Sequence, residues 1–127
     1  MKPRLLLADD HRIVLEGLRG LLAADFDLVG LAFDGHQMVQ DALALHPDVI
    51  VADISMPLLN GIDAIRRLRD SGCNAKVVLL TMHPDPAYLL RGIRAGASAY
   101  VLKHAAADEL IVAIRSALAG QIGRAHV

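Results

Sequence analysis

The residues able to do chemistry in this chain are Asp9, Asp10, Asp53, Thr81 and Lys103. Three carboxylates, a hydroxyl and an ammonium form a definite set. Gathered carboxylates repel one another and rise in pKa unless a cation sits among them. An oxygen-rich site with few protein ligands suits Mg²⁺, which keeps several waters and shares phosphate oxygens. A carboxylate can also attack phosphorus and become an aspartyl-phosphate. Such a transfer needs positive charge around the phosphoryl oxygens, from a metal and from a side chain such as Lys103. Thr81 can donate a hydrogen bond to one of them. Singly, each residue has a plainer reading: Asp10 as the N-cap of a following helix, Thr81 as an ordinary strand end, Lys103 as a solvated loop lysine.

Their common position decides between these readings. Leu5-Leu6-Leu7-Ala8 runs into Asp9-Asp10, Val49-Ile50-Val51-Ala52 into Asp53, Val77 to Leu80 into Thr81, and Ala99 to Leu102 into Lys103. A further run, Leu28 to Ala32, ends without a chemical group. Short unbroken apolar runs fit strands buried on both faces of a parallel sheet. Helix-period segments separate them. In 11–24 the spacing predicts a stripe of Ile13, Val14, Gly17, Leu18, Leu21 and Leu22; in 35–46, one of Met38, Val39, Ala42 and Leu43, closed by Pro47. In 61–71 it is Ile62, Ile65 and Leu68, with Asn60 as N-cap and Gly72 past the end. Helices are also predicted at 86–95, stopping at Gly96, and at 106–119, with Leu110, Ile111, Ile114 and Leu118. Strand and helix therefore alternate five times, which gives an α/β fold: a doubly wound, five-stranded parallel sheet with helices on both faces. All strand carboxyl ends then share one edge, where such sheets bind ligands.

The chain has 127 residues, enough for one domain, with 54% hydrophobic and 21% charged residues. A net charge of −1 lacks the basic footprint of a nucleic-acid binder. The single Cys73 excludes an internal disulfide, and no run approaches a membrane span or a secretory signal. A cytoplasmic location is expected. Six histidines, His11, His36, His46, His83, His104 and His126, are scattered without an i, i+4 pair and make a poor transition-metal site. Cys73 follows Gly72 in an expected turn, with no base suggested beside it.

Asp9-Asp10-His11-Arg12, then Asp53-Ile54-Ser55-Met56-Pro57 with Asn60-Gly61, then Leu80-Thr81-Met82-His83, and finally Gly96 to Lys103 resemble the receiver domain of two-component response regulators. The wording is closest to the NarL/FixJ (LuxR-type) subfamily, whose receivers precede a helix-turn-helix domain. The resemblance covers roughly residues 3–120, and implies a receiver domain over 1–120 with 121–127 as linker start or cloning tail. It implies a flavodoxin-like sheet of order 2-1-3-4-5. It implies Asp53 as phospho-acceptor, and Mg²⁺ held by Asp10, Asp53 and the Ser55 backbone carbonyl, with Asp9 acting through a water. Lys103 would bind the phosphoryl group, Thr81 and Tyr100 would form the switch pair, and His83 would tune hydrolysis. A sensor histidine kinase is the implied partner, with a homodimer on activation and a DNA-binding effector downstream in the natural protein. Nucleic acid and membrane are not expected partners of this chain itself. One departure stands out: many receivers have proline after the lysine, whereas His104 follows Lys103 here. A cis bond before a non-proline residue costs about 2.5–4 kcal/mol, so trans is expected.

Other classes fit less well. A hydrolase with an aspartate nucleophile needs a second acid two residues on, where Ser55 stands. A flavin or nucleotide carrier needs a glycine- or hydroxyl-rich loop after the first strand, where Asp9 and Asp10 put negative charge. A receiver-like dimerisation module that is never phosphorylated is the alternative within the family. On the favoured reading the chain is no enzyme beyond its own phosphorylation and dephosphorylation.

Overall fold

The computed structural model describes residues 1–82, 85–104 and 107–120. Five strands, β1 (Arg4–Ala8), β2 (Asp27–Ala32), β3 (Val49–Asp53), β4 (Lys76–Thr81) and β5 (Ala99–Leu102), form one parallel sheet of order β2-β1-β3-β4-β5. Between and after them lie α1 (Arg12–Leu22), α2 (Gly35–Leu45), α3 (Gly61–Asp70), α4 (Pro86–Ala95) and α5 (Ala107–Leu118). The expected fold class and strand order are both observed.

Alternation along each strand builds two cores, one on each face. Leu6, Ala8, Ile50, Ala52, Val77 and Leu79 pack under α2, α3 and α4. Leu5, Leu7, Val49, Val51, Val78 and Leu80 pack under α1 and α5, with Phe26. Each fully buried Leu or Ile contributes about 1.5–3 kcal/mol relative to an exposed one, so these strands have no competing register that keeps both faces dry. Arg69 ties the lower edge together, donating to the carbonyls of Cys73 and Gly96 at 2.9 and 2.8 Å.

The helices correct part of the sequence reading. On α1 the buried stripe is Leu15 and Leu22 with Leu18 beside them, whereas Ile13 and Leu21 are exposed, as is Gly17. The helix is apolar on more than one side, and the sheet takes the Leu15 side. On α2, Met38 and Ala42 are buried, but Leu43 is exposed. Asp10 does not cap α1: the N-cap is His11, without a side-chain cap bond. Asn60 caps α3 as expected, its side chain accepting from the Asp63 N–H at 2.9 Å. Gly72 follows the end of α3 with φ of 82°.

Register brings the strand ends together. Ala8 pairs with Ala52, so Asp9 and Asp53 leave the sheet side by side. Thr81 pairs with Leu102, and the Lys103 N–H donates to the Thr81 carbonyl at 2.8 Å. β2 and β3 flank β1 on opposite sides. The chain therefore winds in opposite directions from β1, and a crevice opens there.

Candidate functional site

Asp9 is fully buried and Asp53 nearly so. Both surround Lys103, whose side chain is 8% exposed. Its Nζ donates to Asp53 Oδ2 at 2.8 Å and lies 2.9 Å from Asp9 Oδ2. The second approach is an ion pair without hydrogen-bond alignment, so Asp9 Oδ2 accepts no hydrogen bond. Asp53 Oδ1 takes the Ser55 N–H at 3.2 Å. On the opposite side, Asp9 Oδ1 accepts from the His11 N–H at 2.9 Å, which turns the chain sharply after β1. The His11 Nδ1 stands 3.2 Å from both Asp9 Oδ1 and Asp10 Oδ1. Asp10, 31% exposed at its side chain, reaches the site from the solvent side.

One ammonium serves two buried carboxylates, and the electrostatics follow from that shortage. Burial pushes the Asp53 carboxyl above its ordinary value; the hydrogen bond and charge of Lys103 pull it back only in part, and the charge of Asp9 pushes it up again. For Lys103, burial would lower the ammonium, but Asp53 and Asp9 outweigh it and hold it above its ordinary value. A buried group of carboxylates with a deficit of positive charge binds cations.

The donor set fits a hard divalent ion. Asp9, Asp10, His11 and Asp53 each present a ligand atom, all within 4.8 Å of one another. Three of the four ligands are carboxylates, and one buried oxygen, Asp9 Oδ2, lacks a hydrogen bond. Oxygen ligands with room for water suit Mg²⁺ better than the imidazole- and thiolate-rich sites of zinc.

A cavity of about 470 Å³ opens onto these groups, lined by Asp53, Ser55, Thr81, Lys103 and His11 among others. Asp9, Asp10, Asp53, Thr81 and Lys103 therefore converge, as their strand-end positions predict, and Ser55, which the resemblance implied, joins them. Tyr100 lies apart, half-buried on β5 against the α4-side core and paired in register with Leu79. The Lys103–His104 bond is trans. His104 is exposed, and His83 and the 121–127 tail fall outside the described residues. Sequence reading missed two features. It counted His11 among six scattered histidines that make a poor transition-metal site, although adjacency to two acids was a signal. It also overlooked Tyr88 and Arg91 of α4, which line the same cavity; their i, i+3 spacing on the helix after Thr81 was the available clue.

Comparison with known proteins agrees with this geometry. The sequence model of the response regulator receiver domain matches residues 5–115. The chain is 42% identical over 122 residues to the transcriptional regulatory protein YxjL of Bacillus subtilis, covering 94% of this chain and 56% of that protein. It thus spans about half the length of the curated relatives it matches. A two-component response regulator of the LuxR family from Aurantimonas superposes with a TM-score of 0.93 at 35% identity, over 98% of this chain and 91% of the other. The receiver domain of the response regulator NarL from Mycobacterium tuberculosis gives 0.91 at 28% identity, over 94% and 98%. No helix among the described residues is long and apolar enough to cross a membrane. With these sequence and structural matches, the acid-rich strand ends and the β2-β1-β3-β4-β5 sheet, the chain belongs to the response regulator receiver domain family and is similar there to the receivers of NarL- and LuxR-type proteins.

Proposed function

We propose that this chain is a phosphorylation-switched receiver, in which Asp53 accepts a phosphoryl group from the phosphohistidine of a sensor histidine kinase in a Mg²⁺-dependent reaction. The observation that carries this reading is Lys103, whose buried ammonium is shared by Asp53 and Asp9 at the carboxyl edge of the sheet. It is placed to follow new negative charge when Asp53 is modified. Receiver domains bind Mg²⁺ at an acidic pocket, and this chain has the acid-rich group. Asp10, Asp53 and the Ser55 carbonyl would hold the ion, with Asp9 one water further out. When bound, the ion supplies positive charge for the phosphoryl oxygens and relieves the crowding of carboxylates.

The steps assigned to the chain itself are few. A carboxylate oxygen of Asp53 attacks phosphorus as the P–N bond to the donor imidazole breaks. Lys103 transfers its hydrogen bond to a phosphoryl oxygen, and Thr81 donates its hydroxyl to another. Phosphorylation adds about −1.5 to −2 charges at this strand end. Thr81 moves toward it, and Tyr100 turns inward to fill the space vacated. The register that sets Tyr100 beside Leu79, two residues before Thr81, supports this coupling. His83 would tune the subsequent hydrolysis.

The switch would control dimerisation, through the face of α4, β5 and α5 or through that of α1 and α5. Exposed Ile13 and Leu21 on α1 and Val112 on α5 favour the second. In the natural protein the output would be a C-terminal DNA-binding effector in the cytoplasm, and this chain would catalyse only its own phosphorylation and dephosphorylation.

Incubation with acetyl phosphate and Mg²⁺, followed by intact mass measurement, tests the assignment. The parent should gain one phosphoryl group and Asp53→Asn none. Equal gain by both moves the acceptor elsewhere. No gain by either favours an unphosphorylated dimerisation module.

A further inference from the structure

The cavity that holds Asp53 extends beyond the acids, past Thr81 and Met82, to Tyr88 and Arg91 on α4. Its lining carries both signs of charge, Asp53 and Asp85 with Lys103 and Arg91. The Arg91 guanidinium carbon lies 5.7 Å from the centre of the Tyr88 ring. Among the described residues Arg91 forms no ion pair, whereas Arg19, Arg66 and Arg115 each find an acid. Asp85 lines the same wall, but its Oδ1 is taken by the Ala87 N–H at 2.9 Å. An aromatic ring steadies a cation yet offers it no oxygen lone pair. Arg91, exposed at the surface, therefore brings a guanidinium without an acid partner among the described residues to the lining of the cavity that also contains Asp53.

In-line transfer decides which part. The attacking Asp53 oxygen and the leaving atom lie on opposite sides of phosphorus. With phosphorus held beside Asp53, the leaving group projects away from it into the cavity whose lining includes Arg91. We infer that Arg91, steadied by Tyr88, is a subsite for an anionic leaving group, so that among free donors the site favours small acyl phosphates over phosphoramidates. This rests on Asp53 as the acceptor. With acetyl phosphate, the Asp53 oxygen–phosphorus bond forms and the phosphorus–acyl oxygen bond breaks. The electron pair departs on acetate, which needs no proton and matches the guanidinium fork. With phosphoramidate, whose nitrogen already carries its proton near neutral pH, the P–N bond breaks and the electron pair departs on neutral ammonia. A nearby guanidinium gives that departure no help.

The test compares second-order rates of Asp53 labelling by acetyl phosphate and by phosphoramidate, at fixed ionic strength with Mg²⁺, read by intact mass. Arg91→Ala should lower the acetyl phosphate rate about five- to tenfold, the size of one solvent-screened contact at an exposed arginine. The phosphoramidate rate should change less than twofold, and Arg91→Lys should recover part of the loss. Arg94→Ala removes the same charge from the same helix away from the cavity, and should leave the ratio of rates unchanged. Equal slowing with both donors, no slowing with either, or the same shift in Arg94→Ala would overturn the subsite. A parent labelled by neither donor would instead overturn the acceptor reading, and the subsite with it.

Discussion

Replacing Lys103 with methionine should destabilise the protein by about 3–5 kcal/mol at neutral pH without divalent cations, because it strands two buried carboxylates without their cation. Methionine keeps most of the apolar stem, so the loss reports charge more than packing. The melting temperature should fall by more than about 10 °C for a domain of this size. Mg²⁺ should restore a large share, since the variant has a larger charge deficit for it to fill. Ligand at ten times its dissociation constant contributes about 1.4 kcal/mol. The measurement is thermal unfolding of parent and variant across a Mg²⁺ series. A loss below about 1 kcal/mol with no greater Mg²⁺ response than the parent would show that Lys103 does not neutralise Asp9 and Asp53.

The pH dependence has a definite sign. The folded-state value of Asp53 lies above its ordinary 3.8. The folded protein therefore holds that proton longer than the unfolded chain, and the Asp53 contribution is most favourable below the unfolded value. It is lost as pH rises through the folded value, on the neutral side of the carboxylate range. Lys103 is also raised, from 10.5, so its contribution is fully present below that value and lost only in strong alkali. Between the two windows an ionised Asp53 stands beside a charged Lys103. The penalty of Lys103→Met should accordingly be largest near neutrality and shrink as pH falls through the raised folded-state range of Asp53, where its carboxyl takes up a proton.

Much of this site was visible in the sequence because a parallel strand buried on both faces is an unbroken apolar run, and a run must end where the sheet ends. That placed Asp9, Asp53, Thr81 and Lys103 at one rim before any coordinates. What periodicity cannot supply is rotation about a helix axis. On α1, Leu15, Leu18 and Leu22 compete with Ile13, Gly17 and Leu21 as the apolar face, and only the shape of the sheet above decides. Tyr88 and Arg91 were missed for the same reason: whether an i, i+3 pair on α4 looks into the cavity depends on the seating of Leu89 against the core. Nor can spelling rank adjacent acids. Asp9 is fully buried while Asp10 reaches solvent, a difference set by the turn in which the His11 N–H binds back to Asp9.

Glycine 61 converts the same close packing into an expected result of opposite sign to the usual rule. Glycine to alanine inside a helix ordinarily stabilises by about 0.5–1 kcal/mol. Gly17 and Gly20 on α1 have open space around the position of a β carbon, so Gly17→Ala and Gly20→Ala should each give that gain. At Gly61 a β carbon would fall on the carbonyl oxygen of Asp53 and within 3.2 Å of the Ile54 Cα. These are backbone atoms, held in place by the Gly61 N–H donating to the Ile54 carbonyl at 2.8 Å and by the Ile54 N–H donating to Leu80 at 3.0 Å. No rotamer change can relieve the clash; α3 or the end of β3 must move. Gly61→Ala should therefore cost about 1–3 kcal/mol, the usual range for overpacking. Because the moving segment carries Asp53, labelling by acetyl phosphate should slow as well, even at a temperature where the variant is fully folded. Urea unfolding of the three variants checks the signs, and intact mass checks the labelling. A Gly61→Ala protein as stable as Gly17→Ala and labelled at the parent rate would mean that α3 can withdraw freely from β3, and that the backbone behind Asp53 is not what holds the acceptor in place.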